Sequence, residues 1–136
     1  MALIDKIAWH NLESVHDPRG ILTSIESGII IPFEIKRIFY MHHVVRDRGG
    51  HAHIDTDQVV IAISGSFRIE LYDGFEKIDF IMDDPSKGLY IPHMIFISLF
   101  SFAKDAVCLV LASTHYDIRK SIRNIEDFNK AIKKLV

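Results

Sequence analysis

The sequence predicts a single all-β domain: a jelly-roll barrel of short antiparallel strands, followed by one short C-terminal α-helix. Three observations support this. Runs of β-branched and aromatic residues recur along the chain, turn-forming Gly, Pro, Asp and Ser separate them every ten or so residues, and helical spacing appears only in the tail. With 136 residues the chain has the length of one ordinary domain, so residues 1–136 are read as one unit.

Residues 21–25 and 35–45 read as strands, the second an unbroken run, IKRIFYMHHVV. Gln58 to Tyr72 (QVVIAISGSFRIELY) is interrupted only by Ser64-Gly65-Ser66, small residues suited to a tight hairpin. Asp73-Gly74 turns the chain into 75–82, and DDPSKG turns it again before 89–92. Strands 95–100 and 107–113 follow. In the tail, Ile125, Phe128, Ile132 and Leu135 repeat at helical spacing, with Asn124 placed as N-cap and lysines near the end. This helix is expected to dock outside the barrel.

Hydrophobic residues make up 49% and charged residues 25%, the balance of a globular protein with a core. Sixteen Lys and Arg against 18 Asp and Glu give a net charge of −2, so no global field draws the chain to nucleic acid or anionic lipid. No stretch approaches the roughly 18 apolar residues of a membrane span, and a cytoplasmic location is expected. The lone cysteine, Cys108, lies in the apolar run VCLVLA and reads as a core residue.

The chemistry concentrates in RGGHAH, Arg48 to His53. On a strand, His51 and His53 point to one face while the small Ala52 points to the other. Four residues separate His53 from Gln58, and six more lead to Gly65. This spacing resembles the first cupin motif, in which two histidines and a glutamate bind a metal. Gln58 offers only a neutral amide in the third position. The second motif places a histidine five residues after its proline, and that position, counted from Pro92, is Ile97. Two ligands fall short of the three protein ligands of a typical catalytic metal site unless His93 or His43 reaches in. Without a metal, two imidazoles in a pocket can move protons near neutral pH.

Longer stretches resemble one family, the dTDP-4-keto-6-deoxyglucose 3,4-ketoisomerases, which are metal-independent cupins. They are DPRGILTSIE, IPFEIKRIFY, RGGHAH, QVVIAISGSF, GLYIPHMIF, the VLAST and HYD segments, and SIRNIEDF. The resemblance implies a cupin-type double-stranded β-helix and an isomerase acting on a dTDP-linked 4-keto-6-deoxy sugar, with no metal and no cofactor. A base would remove the acidified C3 proton to give an enediolate, and reprotonation at C4 would move the carbonyl. By similarity His51 carries the carbon-bound proton and His53 shuttles protons among the oxygens. The sequence departs from the family at Phe39-Tyr40, where two tyrosines are common, at Phe96-Ile97, where Trp-His is common, and at His115.

The pyrophosphate of such a ligand needs positive groups, and Arg48, Arg37, Lys36 and Arg68 are the candidates, Arg48 first among them. On the strand over 35–45, Arg37, Phe39 and His43 share one face while Lys36, Tyr40 and His42 share the other. Only one set faces inward, and Tyr40 on the second is a candidate phenolic hydrogen-bond partner or an aromatic platform for thymine. Gln58 completes the substrate-binding candidates. A nucleotide-sugar-binding cupin without turnover, a related 3,5-epimerase and a metal-dependent cupin completed by His93 or His43 stand as alternatives. A homodimer is expected, since an open barrel edge leaves unpaired backbone groups.

Overall fold

The computed structural model describes residues 2–135. After a short 3-10 turn at Leu3–Lys6 come β1 (Ala8–Asn11), β2 (Glu13–Asp17), β3 (Gly20–Ser24) and β4 (Arg37–Met41). The middle of the chain forms β5 (Arg48–His53), β6 (Gln58–Ser64), β7 (Phe67–Tyr72) and β8 (Lys77–Met82). Then follow β9 (Lys87–Ile91), β10 (Phe96–Phe100), β11 (Val107–Ala112), the two-residue β12 (Ser121–Ile122) and α1 (Ile125–Leu135).

Two five-stranded antiparallel sheets, ordered β1-β9-β6-β11-β4 and β12-β5-β10-β7-β8, face each other as a cupin-like jelly roll. Among the described residues no strand ladder joins them, so the expected barrel is two open sheets closed by side-chain packing. β2 and β3 pair only with each other. The core between the sheets takes Val60, Ala62, Cys108 and Val110 from one side and Ile69, Leu71, Ile97 and Leu99 from the other. Each of the larger side chains contributes about 1.5–3 kcal/mol by leaving water.

β6 explains why QVVIA does not alternate. Val60 and Ala62 face the shared core, while Val59 and Ile61 are covered from outside by Leu12 and Ile31. A strand buried on both faces reads as a continuous apolar run. Both its edges are also occupied, by β9 and β11. The hairpin expected at Ser64-Gly65-Ser66 is therefore a crossover: β6 and β7 belong to different sheets, and Gly65, at φ +63°, carries the chain between them. A Cβ there would lie 2.6 Å from Asp105 Oδ1, so the close crossing requires glycine.

The strand expected over 35–45 is shorter, because after Met41 the backbone leaves the sheet and His43 takes φ +53°. β1 and β2 lie outside every predicted strand; they are short and mostly exposed, so they carry no apolar alternation. The helix forms as expected, with Asn124 Oδ1 accepting from Asp127 N–H at 2.8 Å. Only Phe128 and Ile132 are buried, against Ala52, Met94 and Phe96 on the outer face of the second sheet, while Leu135 is 65% exposed.

Candidate active site

Strand alternation in β5 turns Gly49, His51 and His53 toward the space between the sheets and turns Ala52 outward, where it is fully buried beneath α1. Ala52 is small because the helix leaves no room. Gly49 is required by its surroundings: it sits at φ +97°, and a Cβ would lie 2.7 Å from the Ile97 carbonyl oxygen. The β5–β10 ladder shifts register between Ile97 and Ser98 at this point, a bulge that re-aims the chain just before His51. The two imidazoles stand nearly perpendicular with centroids 5.2 Å apart.

They open onto a cleft of about 460 Å³. Arg37 and Phe39 of β4 form one side, and Arg48, His51 and His53 of β5 form the other. Gly49, Tyr116, Ser121 and Arg123 also line it, together with the one acidic side chain, Asp47. Below His51 the cleft continues into an inner chamber of about 130 Å³, lined chiefly by Phe39, Met41, Val60, Ile97, Leu99 and Val110. Gln58, Arg48 and Cys108 also reach this chamber. Ile97 pairs directly across from His51, so the two side chains share a face. A charged outer compartment thus leads to an apolar inner one, with His51 at the junction.

Burial holds His51 below its usual value, assisted by Arg123 and Arg48 and opposed by a hydrogen bond to the Gly49 backbone. For His53, burial first, then the neighbouring His51 and Arg37, push the value down to about 4. Both rings are neutral at pH 7 and able to accept a proton. His53 Nε2 is buried with no hydrogen-bond partner, so no protein group commits it. The unfolded chain binds protons at these histidines below about pH 6.5, whereas the folded sites resist until lower pH. Stability contributed by His53 is therefore complete above pH 6.5 and lost as pH falls toward 4. Melting temperatures across that window are expected to drop less for His53→Asn than for the parent; equal slopes would contradict the burial argument.

Not all the sequence candidates meet here. Arg48, Arg37, His51, His53 and Gln58 converge on the cleft and chamber. Tyr40 and Lys36 do not: β4 presents Arg37 and Phe39 inward, and alternation turns Tyr40 outward, where it is 61% exposed. Arg68 lies on the outer face of β7, pairing with Asp79 at 3.5 Å while Phe67 and Ile69 fill the core. Of the two proposed third metal ligands, His93 binds Asp57, Nδ1 to Oδ1 at 3.0 Å. His43 packs edge-to-face against His42 in a second, exposed cleft. Among the described residues no three His, Cys, Asp or Glu side chains gather as a metal cage would.

Arg123 and Tyr116, not singled out in the sequence, also face the cleft, beside Ser121 and Asp47. β12 pairs with β5, opposing Ser121 to His53, and two residues on, Arg123 projects to the same side. The Arg37 guanidinium lies 5.2 Å from the centre of the Tyr116 ring and 4.8 Å from that of Phe39. Tyr116 and Arg123 lie within segments that carried the family resemblance, HYD and SIRNIEDF, but a two-residue strand has no periodicity to announce it.

The fold and site together define a cupin-like pocket in which two buried imidazoles stand between an arginine-rich mouth and an apolar floor. The chain belongs to the FdtA family (WxcM-like, C-terminal), whose sequence pattern matches residues 5–133. The TDP-4-oxo-6-deoxy-alpha-D-glucose-3,4-oxoisomerase of Aneurinibacillus thermoaerophilus is 37% identical over 127 residues, covering 92% of this chain and 91% of that protein. A variant of the 3,4-ketoisomerase QdtA from Thermoanaerobacterium thermosaccharolyticum, solved with TDP-4-keto-6-deoxyglucose, superposes with a TM-score of 0.91 at 38% identity. That match covers 94% of each chain. WlaRB, a TDP-quinovose 3,4-ketoisomerase from Campylobacter jejuni, is 37% identical with a TM-score of 0.86 over 91% of this chain and 97% of its own.

Proposed function

We propose that this chain isomerises a dTDP-linked 4-keto-6-deoxyhexose to its 3-keto isomer by acid–base proton transfer, with no metal or other cofactor, in deoxysugar biosynthesis. The observation that carries this reading is the placement of two neutral imidazoles where a basic cleft meets an apolar chamber. Arg48, Arg37 and Arg123 supply positive charge for a pyrophosphate at the mouth. The deoxyhexose then lies against His51, with the Gln58 amide within the chamber to meet a ring oxygen.

The reaction needs only proton movement. His51 takes the proton on C3, which the neighbouring ketone acidifies, and His53 passes the hydroxyl proton between O3 and O4 of the enediolate. Phe39 in place of a phenol and Ile97 in place of an imidazole leave this pair as the only histidines facing the site among the described residues. The protein is also proposed to act as a cytosolic homodimer. Val15, Ile21 and Leu22 on the β2–β3 ribbon are 57%, 62% and 65% exposed, an apolar surface that a second copy would cover.

Incubation with dTDP-4-keto-6-deoxyglucose in the presence of EDTA is expected to yield the 3-keto isomer, identified by NMR. Recovery of unchanged substrate, or a product inverted at C3 or C5 with its C4 ketone retained, would overturn the reading; the second result would mark an epimerase.

A further inference from the structure

Two chain crossings run side by side between the sheets. Residues 54–57 carry the chain from β5 in the second sheet to β6 in the first, and residues 92–95 carry it from β9 in the first to β10 in the second. The crossings meet the first sheet at one rung, where Gln58 pairs with Ile91. They also meet the second sheet together: the Met94 N–H donates to the His53 carbonyl at 2.8 Å, extending the β5–β10 pairing beyond the rung of His51 and Ile97.

Asp57 ties the two crossings to each other. Its backbone is rooted on the first sheet, where its N–H donates to Ser113 Oγ at 2.8 Å and its carbonyl accepts from the Ser113 N–H at 3.0 Å. Its Oδ1 accepts from the His93 backbone N–H at 2.8 Å and lies 3.0 Å from His93 Nδ1, which donates in the tautomer protonated there. Met94, next in the chain, holds φ +60°, a conformation that a methionine keeps only where its surroundings impose it. The Asp57 side chain is 29% exposed and the His93 side chain 45%, so solvent screens the charge of this pair. What the pair supplies is position.

We propose that Asp57 and His93 are positioning residues that set the gap between the two walls of the inner chamber, His51 with Ile97 on the second sheet and Gln58 on the first. The inference rests on the isomerase reading and goes beyond it, since neither side chain lines the cleft or the chamber. Asp57 directly precedes Gln58 and holds the turn that bonds to His53, so it links a group on one wall to the strand that forms the other. Without the clasp, β5 and its histidines shift relative to Gln58 across the chamber, and a misplacement of about 1 Å can lower a rate by about 100-fold.

The test compares full-length variants in the conversion of dTDP-4-keto-6-deoxyglucose. Asp57→Ala loses both bonds and is expected to lower kcat by about 10- to 100-fold, with KM and dTDP affinity within about threefold of the parent. Asp57→Asn keeps an oxygen at the Oδ1 position and is expected to recover most of that loss. His93→Ala keeps the backbone N–H and is expected to fall between them. The Cε1–H NMR signals of His51 and His53 are expected to move in Asp57→Ala and to return in Asp57→Asn. If the pair worked through its negative charge, Asp57→Asn would be as slow as Asp57→Ala, and that result would overturn the proposal. So would parent-like kcat in His93→Ala, whether or not Asp57→Ala folds, or a loss of dTDP affinity as large as the loss in kcat. If the wild-type protein forms no 3-keto product, the isomerase reading falls, and the histidine signals decide the clasp: signals unmoved in Asp57→Ala would overturn it.

Discussion

The His51→Asn variant is expected to lose about 10³–10⁴-fold in kcat while KM stays within a few-fold, because a positioned general base contributes an effect of that order. The loss corresponds to roughly 4–5.5 kcal/mol of transition-state stabilisation. Asparagine approximates the imidazole in size and keeps the β5–β10 pairing, so the fold and the pyrophosphate contacts remain. What disappears is the group at the junction of cleft and chamber that can accept a carbon-bound proton. A variant within tenfold of the parent would remove His51 from the chemistry. His53→Asn is expected to fall less far, since protons on oxygen can also move through water, whereas a carbon acid needs its base in place.

The basic rim should give the second large effect, and it should appear in binding. Each charge-assisted hydrogen bond to a phosphate is worth about 1.5–3 kcal/mol, so replacing both Arg48 and Arg123 with alanine is expected to weaken dTDP affinity by about 100-fold or more. Isothermal titration would measure it. Arg68→Ala provides the internal comparison: its guanidinium pairs with Asp79 on the outer face of the second sheet, and affinity should stay unchanged. Equal losses for Arg68 and Arg48 would show that the ligand does not use this cleft.

That contrast between Arg48 and Arg68 also shows where the sequence is legible and where it is not. His51 and His53 were visible because a period of two is local: one strand suffices to put both rings on one side. The same reasoning could not choose between the faces of β4. Arg37 and Tyr40 sit on opposite sides, and only the neighbouring strand β11 and the core beyond it decide which turns inward. Phe96 and Ile97 are a parallel case. Phe96 packs on Phe128 of the helix, centroids 5.5 Å apart, and only Ile97 shapes the chamber.

Pairing over long separations was hidden altogether. Nothing local separates a hairpin at Gly65 from a crossover between sheets, because both need the same φ-permissive residue. Arg123 reaches the cleft through pairing of Ser121 with His53, a contact between distant parts of the chain. The apolar run of β6 and the amphipathic tail, by contrast, disclosed themselves through burial that their own residues encode.

The most direct test of the account follows the C3 proton of dTDP-4-keto-6-deoxyglucose by NMR in deuterated water. The wild-type protein is predicted to release that proton and to form a 3-keto product carrying deuterium at C4, while His51→Asn does neither and still binds dTDP. Release of the proton by His51→Asn at the wild-type rate, or its retention by the wild-type protein, would contradict the account.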